Sequence, residues 1–312
     1  MNEYKPEGML ITSPRNRELT SSLEGLRRAL ENGIILEANA TLCDHSLNLH
    51  VDLGCGIRAI IPKGEVQLVR AGETVKDIAI LTRVGKTVCF KVKGFELLPS
   101  GETLVILSRR SAQAECLVNY ISTLIPGDII NARITHLESF GAFVDIGCGV
   151  SSLLSIDSIS VSRISHPSAR LKVGELIYTV VKSIDAKGRI YVSGRELLGS
   201  WEENAAIFNE GETVKGIVRS VESYGIFIEL TPNLAGLAEY RDDVKPGQTA
   251  AVYIKSIIPE KMKIKLIIID AYDAEQKSVP PRYFIDTERV THMDSWVYSP
   301  KRAKRVIETV FS

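Results

Sequence analysis

A stretch of twenty residues occurs twice in this chain without a gap. Residues 127–146 read GDIINARITHLESFGAFVDI, and residues 211–230 read GETVKGIVRSVESYGIFIEL. Both copies start with glycine and share the pattern Glu-Ser-aromatic-Gly-x-Phe. Repetition of this kind marks a chain built from similar structural units, so it constrains the fold more than any single motif does.

A weaker third copy lies upstream. The string VDLGCGI at 51–57 returns as VDIGCGV at 144–150, and LSRR at 107–110 corresponds to VSGR at 192–195. The first pair is separated by more residues than the second pair, because the first unit has a longer interior. The sequence therefore predicts three units of similar length in tandem.

Each unit has the pattern of short strands. Apolar residues alternate with polar ones around β-branched positions, and turn signals such as Gly127-Asp128 and Lys187-Gly188 recur every few residues. About five short strands per unit favour closure into a small antiparallel barrel, which leaves no open sheet edge. Helical spacing occurs only between and outside the units. Between them it lies at 111–124 and at 200–208, where Ser200 is typical of an N-cap.

Both ends of the chain carry helical signals. Leucines recur at helical spacing from Leu19 to Leu30, and Gly33 supplies a stop. At the other end, Ser299-Pro300 is typical of a helix start and predicts a final helix over KRAKRVIETVF. The basic residues of that helix, at 301–305, are interpreted either as a solvated face or as a contact with RNA.

Charge and composition exclude several classes of protein. The chain has 38 Lys+Arg against 38 Asp+Glu, so it cannot hold nucleic acid by bulk positive charge, and any binding must be local. No apolar run approaches the roughly 18 residues that span a bilayer, and the start lacks the pattern of a signal peptide. These features predict a soluble, cytoplasmic protein without a membrane partner.

The sequence offers no catalytic, metal or cofactor motif. The five cysteines form no C-x-x-C pair, and the five histidines match no metal-binding spacing. The Gly-Cys-Gly turns superficially resemble a dinucleotide fingerprint, but strand-like residues follow where that motif needs a helix. We therefore predict a protein that is not an enzyme and binds no metal or cofactor.

The string FGAFVDIG, followed by IDAKGRIYVS, resembles the RNA-binding repeat of bacterial ribosomal protein S-one, which is an OB-fold barrel. The resemblance extends over roughly residues 31–270. It implies a mainly β protein with three tandem five-stranded OB-fold barrels joined by short helices, an N-terminal helix and a C-terminal helical tail. The expected domains are an N-terminal extension (1–30), a first repeat (31–113), a second repeat (114–200), a third repeat (201–272) and a tail (273–312).

The resemblance also assigns an RNA-binding face. In such repeats two aromatic residues, a histidine, an aspartate and an arginine make that face. The second repeat supplies four of them and has serine at the histidine position. The residues concerned are Phe140, Phe143, Ser155, Asp185 and Arg189.

The other two repeats depart further from the pattern. The third repeat keeps Tyr224 and Phe227, has Lys263 near the arginine position and lacks the aspartate. In the first repeat Leu47 and His50 occupy the aromatic positions. The resemblance implies that such N-terminal repeats serve protein docking more than RNA binding.

Exposed aromatic rings suit RNA because every base has a flat π surface, and stacking contributes about 1–3 kcal/mol per base. Strict strand alternation places Phe140 and Phe143 on opposite faces, so both are exposed only if the backbone bulges or coils at Gly141. The alternative is that one ring belongs to the barrel core. The near-neutral second repeat predicts weak binding per repeat and useful affinity only from two repeats acting together.

The leading hypothesis is a non-catalytic protein that holds single-stranded RNA, such as messenger RNA, in translation at the small ribosomal subunit. The expected partners are single-stranded RNA and that subunit, and the chain is expected to be a monomer. Two other hypotheses remain: a protein-binding scaffold, and an accessory RNA-binding chain of an RNA-processing enzyme.

Overall fold

The computed structural model describes residues 4–69, 72–274 and 281–311, and its strands close into three barrels. The first barrel contains β1 (Leu36–Cys43), β2 (Leu49–Asp52), β3 (Arg58–Ile61), β4 (Thr87–Leu97) and β5 (Thr103–Ser108). The second contains β6 (Ile129–Glu138), β7 (Gly141–Asp145), β8 (Ser151–Ser155), β9 (Leu176–Ile184) and β10 (Ile190–Ser193). The third contains β11 (Thr213–Glu222), β12 (Gly225–Thr231), β13 (Leu234–Ala238), β14 (Thr249–Ile258) and β15 (Lys263–Tyr272).

All three barrels have the same topology. The strands follow one another around each barrel in the order first, second, third, fifth, fourth. The third and fifth strands pair in parallel, as in Leu153 beside Tyr191 and Leu237 beside Lys265. The prediction of a mainly β protein with three five-stranded barrels of OB type is therefore confirmed.

Short helices lie before and between the barrels, and two more connect strands of a single barrel. They are α1 (Pro14–Thr20), α2 (Leu23–Glu31), α3 (Asp77–Leu81), α4 (Arg109–Asn119), α5 (Ile156–Ile159) and α6 (Trp201–Ala205). Of these, α3 and α5 connect the third and fourth strands of the first and second barrels. The predicted linking helix at 111–124 corresponds to α4 followed by a 3-10 turn at Ile121–Thr123. The predicted N-cap of α6 is present: Ser200 accepts from Glu203 N, and the Glu203 side chain accepts from Ser200 N.

The N-terminal helix differs in detail from the prediction. Two helices, α1 and α2, replace a single one, because Ser22 adopts an extended backbone and caps α2 through Gly25 N. Leu19 and Leu26 are buried as the spacing predicts, whereas Leu30 is exposed.

The predicted C-terminal helix is wrong. Residues 295–311 form a two-stranded hairpin of β16 (Ser295–Val297) and β17 (Glu308–Val310). Trp296 and Tyr298 alternate with exposed neighbours and are buried against the core of the third barrel, which fixes an extended chain. The β-branched residues after Arg305 favour a strand over a helix. The capping signal at Ser299 and Pro300 instead lies where the chain turns.

The chain divides into two compact units. One comprises the residues up to Leu124 together with Asp145–Ser151, and the other comprises Ile125–Val144 and the residues from Ser152 onward. The strands of each barrel lie within the corresponding repeat range given above, and the domain boundaries themselves stay a prediction. None of the helices in the described ranges has both the length and the apolar character that a membrane span requires.

The first unit contains a buried ion pair. The Arg109 side chain is fully buried and donates through Nε to Glu7 Oε1 at 2.6 Å and through Nη2 to Glu7 Oε2 at 3.0 Å. Glu7 Oε1 also accepts from Cys89 N at 3.0 Å. Burial alone opposes ionisation of Glu7, but the charge and hydrogen bonds of Arg109 outweigh it and lower the pKa of that carboxyl. This pair ties the N-terminal segment to the helix that follows the first barrel.

Candidate nucleic-acid interface

Two phenylalanine rings lie outside the core of the second barrel. Phe140 is 52% exposed and lies in the turn before β7, while Phe143 is half-buried on that strand. Ala142 and Val144, on either side of Phe143, point into the core. No bulge at Gly141 is needed, because Phe140 precedes the strand and strand alternation does not apply to it. Neither ring is among the buried core residues, so the alternative that one of them belongs to the barrel core is wrong.

The two rings have a fixed mutual geometry. Their centroids are 6.1 Å apart, and the ring planes are at 89°, which is the edge-to-face arrangement that aromatic pairs favour. Ile156 N donates to Phe140 O at 2.9 Å and holds the backbone of the exposed ring. The protein itself therefore holds the two rings in a fixed mutual arrangement.

A glycine allows the turn to approach the neighbouring strand. A Cβ at Gly141 would lie 2.4 Å from Leu154 O, well inside a van der Waals contact. In the third barrel a Cβ at Gly225 would lie 2.6 Å from Ala238 O. The glycine of the aromatic-Gly-x-Phe pattern is therefore required for packing in both barrels.

The loop between β9 and β10 is organised by Asp185. Its Oδ1 accepts from the backbone N–H groups of Lys187 and Arg189 at 2.9 and 3.0 Å, and its Oδ2 accepts from Arg189 Nε at 2.7 Å. Hydrogen bonding by Arg189, first from the backbone and then from the side chain, lowers the pKa of Asp185 to about 2. Arg189 remains exposed, so Asp185 positions a cation that still faces solvent.

The remaining predicted residue of the second barrel, Ser155, has a hydrogen-bond partner within the protein. Ser155 is half-buried and donates to Ser158 Oγ at 2.9 Å. Lys182 Nζ donates to the same oxygen at 3.0 Å. A polar group of an RNA ligand would therefore join the hydrogen-bond network that already links Ser155, Ser158 and Lys182 at the end of β8.

The third barrel repeats the aromatic pair but changes the loop. Tyr224 is 69% exposed, and its ring lies edge-to-face with Phe227 at 6.1 Å and 85°. Lys263 is exposed at the start of β15. The strand registers place it where Arg189 lies in the second barrel, and they place Ile258 near the position of Asp185. Among the described residues Lys263 makes no salt bridge, so no carboxylate there positions it as Asp185 positions Arg189.

Comparisons with known proteins agree with this geometry. Residues 123–195, which contain the second barrel, match the S1 RNA binding domain family. The small ribosomal subunit protein bS1 of Staphylococcus saprophyticus is 29% identical over 284 residues, covering 86% of this chain and 69% of that protein. The bS1 protein of Staphylococcus haemolyticus is 28% identical with the same coverage.

The second barrel therefore matches an S1 RNA binding domain, and the chain is similar over most of its length to bS1 proteins. Among solved structures, a multidomain protein with nucleic acid binding domains from Streptococcus pneumoniae is 15% identical, with 78% of this chain and 76% of that chain covered and a TM-score of 0.25.

The structure of the second barrel adds a residue that the sequence analysis missed. Tyr191 lies on β10 beside Leu153 of β8, alternates with the buried residues Ile190 and Val192, and sends its hydroxyl towards Asp185 Oδ2 at 3.4 Å. It is a third aromatic residue on the outer side of the barrel. The alternation in IYVS was a signal that could have identified it.

The residues at the corresponding outer positions differ among the three barrels. In the third barrel Phe227 lies beside Leu237, which lies beside Lys265. In the first barrel His50 lies beside Ile60, which lies beside Ile106. The registers therefore place His50 at the position of the second aromatic, as the sequence indicates. His50 is engaged with Asp44, with its Nε2 3.2 Å from Asp44 Oδ2, so this barrel presents no free aromatic pair.

Proposed function

We propose that this protein is a non-catalytic RNA-binding protein that holds single-stranded RNA, in particular messenger RNA, in translation at the small ribosomal subunit. The observation that carries the proposal is the exposed pair Phe140 and Phe143 on the barrel that matches the S1 RNA binding domain. The name of the bS1 relatives supports the assignment to the small subunit. The protein acts in the cytoplasm and as a monomer in this proposal.

The second barrel is the main RNA site. Successive bases stack on rings that are already held in place, and Arg189, positioned by Asp185, contacts a phosphate. The third barrel contributes a second pair of rings and the less constrained cation Lys263. Two weak sites on one chain bind a continuous RNA strand more tightly than either site alone, because the second contact is intramolecular.

The first barrel has a different role. Its outer stripe of His50, Ile60 and Ile106 offers aliphatic surface and a histidine that is already engaged, which suits a protein partner better than a base. We assign it to docking, and the protein-binding scaffold becomes the second candidate function for the whole chain.

Fluorescence anisotropy of the full chain with an unstructured RNA, compared with a duplex RNA of the same length, tests the RNA assignment. We expect binding to the single strand and much weaker binding to the duplex, whose stacked bases cannot reach the rings. Co-sedimentation with purified small ribosomal subunits tests the location. Equal binding to both RNAs would contradict base stacking on the rings, and no RNA binding with retained sedimentation would favour the scaffold function.

A further inference from the structure

The C-terminal hairpin presents a dense cationic turn. Between β16 and β17 the chain reads SPKRAKRVI, with four cations among five residues. Lys301, Arg302, Lys304 and Arg305 are all exposed. Glu308 is the one carboxylate between Ser295 and Phe311. In a chain whose net charge is +0, this is an unusual local concentration of positive charge.

None of the four cations is neutralised within the protein. Their side chains form no salt bridge or hydrogen bond with any residue of the described ranges 4–69, 72–274 and 281–311. Four like charges within five residues of chain raise the local positive potential and repel one another, most strongly at low ionic strength. An anionic ligand with several closely spaced charges would relieve that repulsion.

The turn is held by a rigid base. Tyr298 is buried, its hydroxyl donates to Asn233 O at 2.6 Å, and its carbonyl accepts from Trp201 N at 2.9 Å. Arg195 Nη2 donates to Thr309 Oγ1 at 3.2 Å from the other strand. Because both strands are anchored, the cations have a defined position, and ordering them on binding costs less conformational entropy than it would for a free tail.

We propose that residues 301–305 are a second RNA site that binds the phosphate backbone of the strand whose bases stack on the barrels. Arginine and lysine are suited to this task because they bind phosphate oxygens without reading sequence. This inference rests on the proposed function, and it adds a backbone contact outside the barrel faces.

The turn lies within reach of the same RNA molecule. From Arg189 the chain continues to Arg195, which is hydrogen-bonded to Thr309, four residues from Arg305. Chain lengths limit the distance between Arg189 and Arg305 to about 50 Å. A strand of about 24 nucleotides spans about 80 Å even when it is stacked at 3.4 Å per nucleotide.

The chemistry of the hairpin favours RNA over an anionic membrane. A segment that inserts into a lipid interface exposes large apolar side chains such as Trp, Phe or Leu beside its cations. Here Trp296 and Tyr298 are buried in the protein core, and Phe311, six residues after Arg305, is half-buried. The exposed apolar residues of the hairpin are Val297, Val306 and Val310, which are small.

The test compares RNAs of two lengths with the full chain. The variant K301Q/R302Q/K304Q/R305Q removes the charge of the turn, and the control variant R163Q/K172Q/K245Q/R289Q removes the same charge from four other exposed cations of the same unit.

On an unstructured RNA of about 24 nucleotides we expect the first variant to bind at least about tenfold more weakly, and the slope of log K against log salt to fall by about 2–3. On an RNA of about 6 nucleotides, which one barrel face can hold, we expect little change. The control variant should bind both RNAs nearly as wild type does.

The outcomes separate this inference from the proposed function. If wild type binds the short RNA and both variants bind the long RNA equally well, the second site is wrong and the barrel function stands. If wild type binds neither RNA, both are wrong. Suppose instead that the first variant keeps its RNA affinity and loses charge-dependent binding to phosphatidylglycerol vesicles. The ligand of residues 301–305 would then be an anionic membrane surface and not RNA.

Discussion

The ring of Phe140 lies edge-to-face with the ring of Phe143, and the same relationship recurs between Tyr224 and Phe227 at an identical centroid distance of 6.1 Å. The recurrence follows from a shared local structure. In both barrels the first aromatic lies in a turn, a glycine packs against the neighbouring strand, and the second aromatic points outward from the strand. The barrels differ in the loop beside the rings, where Asp185 holds Arg189 and the third barrel has no equivalent pair.

Substitutions at Asp185 separate loop structure from charge. Asp185→Asn keeps a side-chain oxygen for the N–H groups of Lys187 and Arg189, so we expect RNA affinity within about threefold of wild type. Asp185→Ala removes these two hydrogen bonds and the one from Arg189 Nε, and we expect a loss of about 1–2 kcal/mol in RNA binding, measured by anisotropy. If the Asn variant loses as much as the Ala variant, the carboxylate itself contacts RNA and does not only position Arg189.

The pH dependence of this loop follows from the lowered pKa of Asp185. The ordinary value is 3.8 and the folded value is about 2, so the ionised, hydrogen-bonded form is favoured by folding. Its contribution is fully present above the ordinary value and is lost only as the pH falls through about 2. We expect the Asp185 carboxyl resonance in NMR to show no titration between pH 7 and pH 4. A midpoint above pH 4 would show that Arg189 does not hold the carboxylate in solution.

Gly141→Ala should disturb both the fold and the RNA site. The added methyl group would lie 2.4 Å from Leu154 O, so the turn must move away from β8 and carry Phe140 with it. We expect a destabilisation of about 1–3 kcal/mol in chemical denaturation and a clear loss of RNA binding. Gly64→Ala is the matched control, because no atom lies within 4 Å of its added Cβ. Equal stability of the two variants would contradict the packing described for Gly141.

The buried ion pair predicts a large effect in the first unit. Glu7→Gln leaves the guanidinium of Arg109 buried without the carboxylate that it hydrogen-bonds, and we expect unfolding to become easier by about 3–5 kcal/mol. Glu102→Gln removes one partner of the exposed pair with Arg58 and should change stability by less than about 1 kcal/mol. Urea denaturation of both variants provides the comparison. A small effect of Glu7→Gln would mean that the N-terminal segment is not packed as described.

The repeats predicted the barrels because the alternation of buried and exposed residues is local, as Ala142, Phe143 and Val144 show. The position of Phe140 could not be predicted from alternation alone, since it depends on where the turn ends and β7 begins. The final hairpin was missed because Trp296 and Tyr298 gain their burial from the third barrel, which is distant in sequence. The helix-start signal of residues 299–300 is weak compared with that tertiary packing.

The candidate site shows the same limit. The pattern of the second repeat identified Asp185 and Arg189, but only the structure shows that they bind each other. Tyr191 was missed because its place beside Leu153 depends on the parallel pairing of β8 and β10. Their RNA contacts stay predictions until binding is measured.

The central claim is that the exposed rings of the second barrel hold RNA, and binding of a short unstructured RNA to the full chain tests it most directly. Wild type is compared with Phe140→Ala/Phe143→Ala and with Tyr224→Ala/Phe227→Ala, and circular dichroism melting checks the fold of each. We expect the first double variant to lose about 30-fold or more in affinity, since each stacked base contributes about 1–3 kcal/mol, and the second to lose less. Unchanged affinity in the first variant, with its fold intact, would contradict the account.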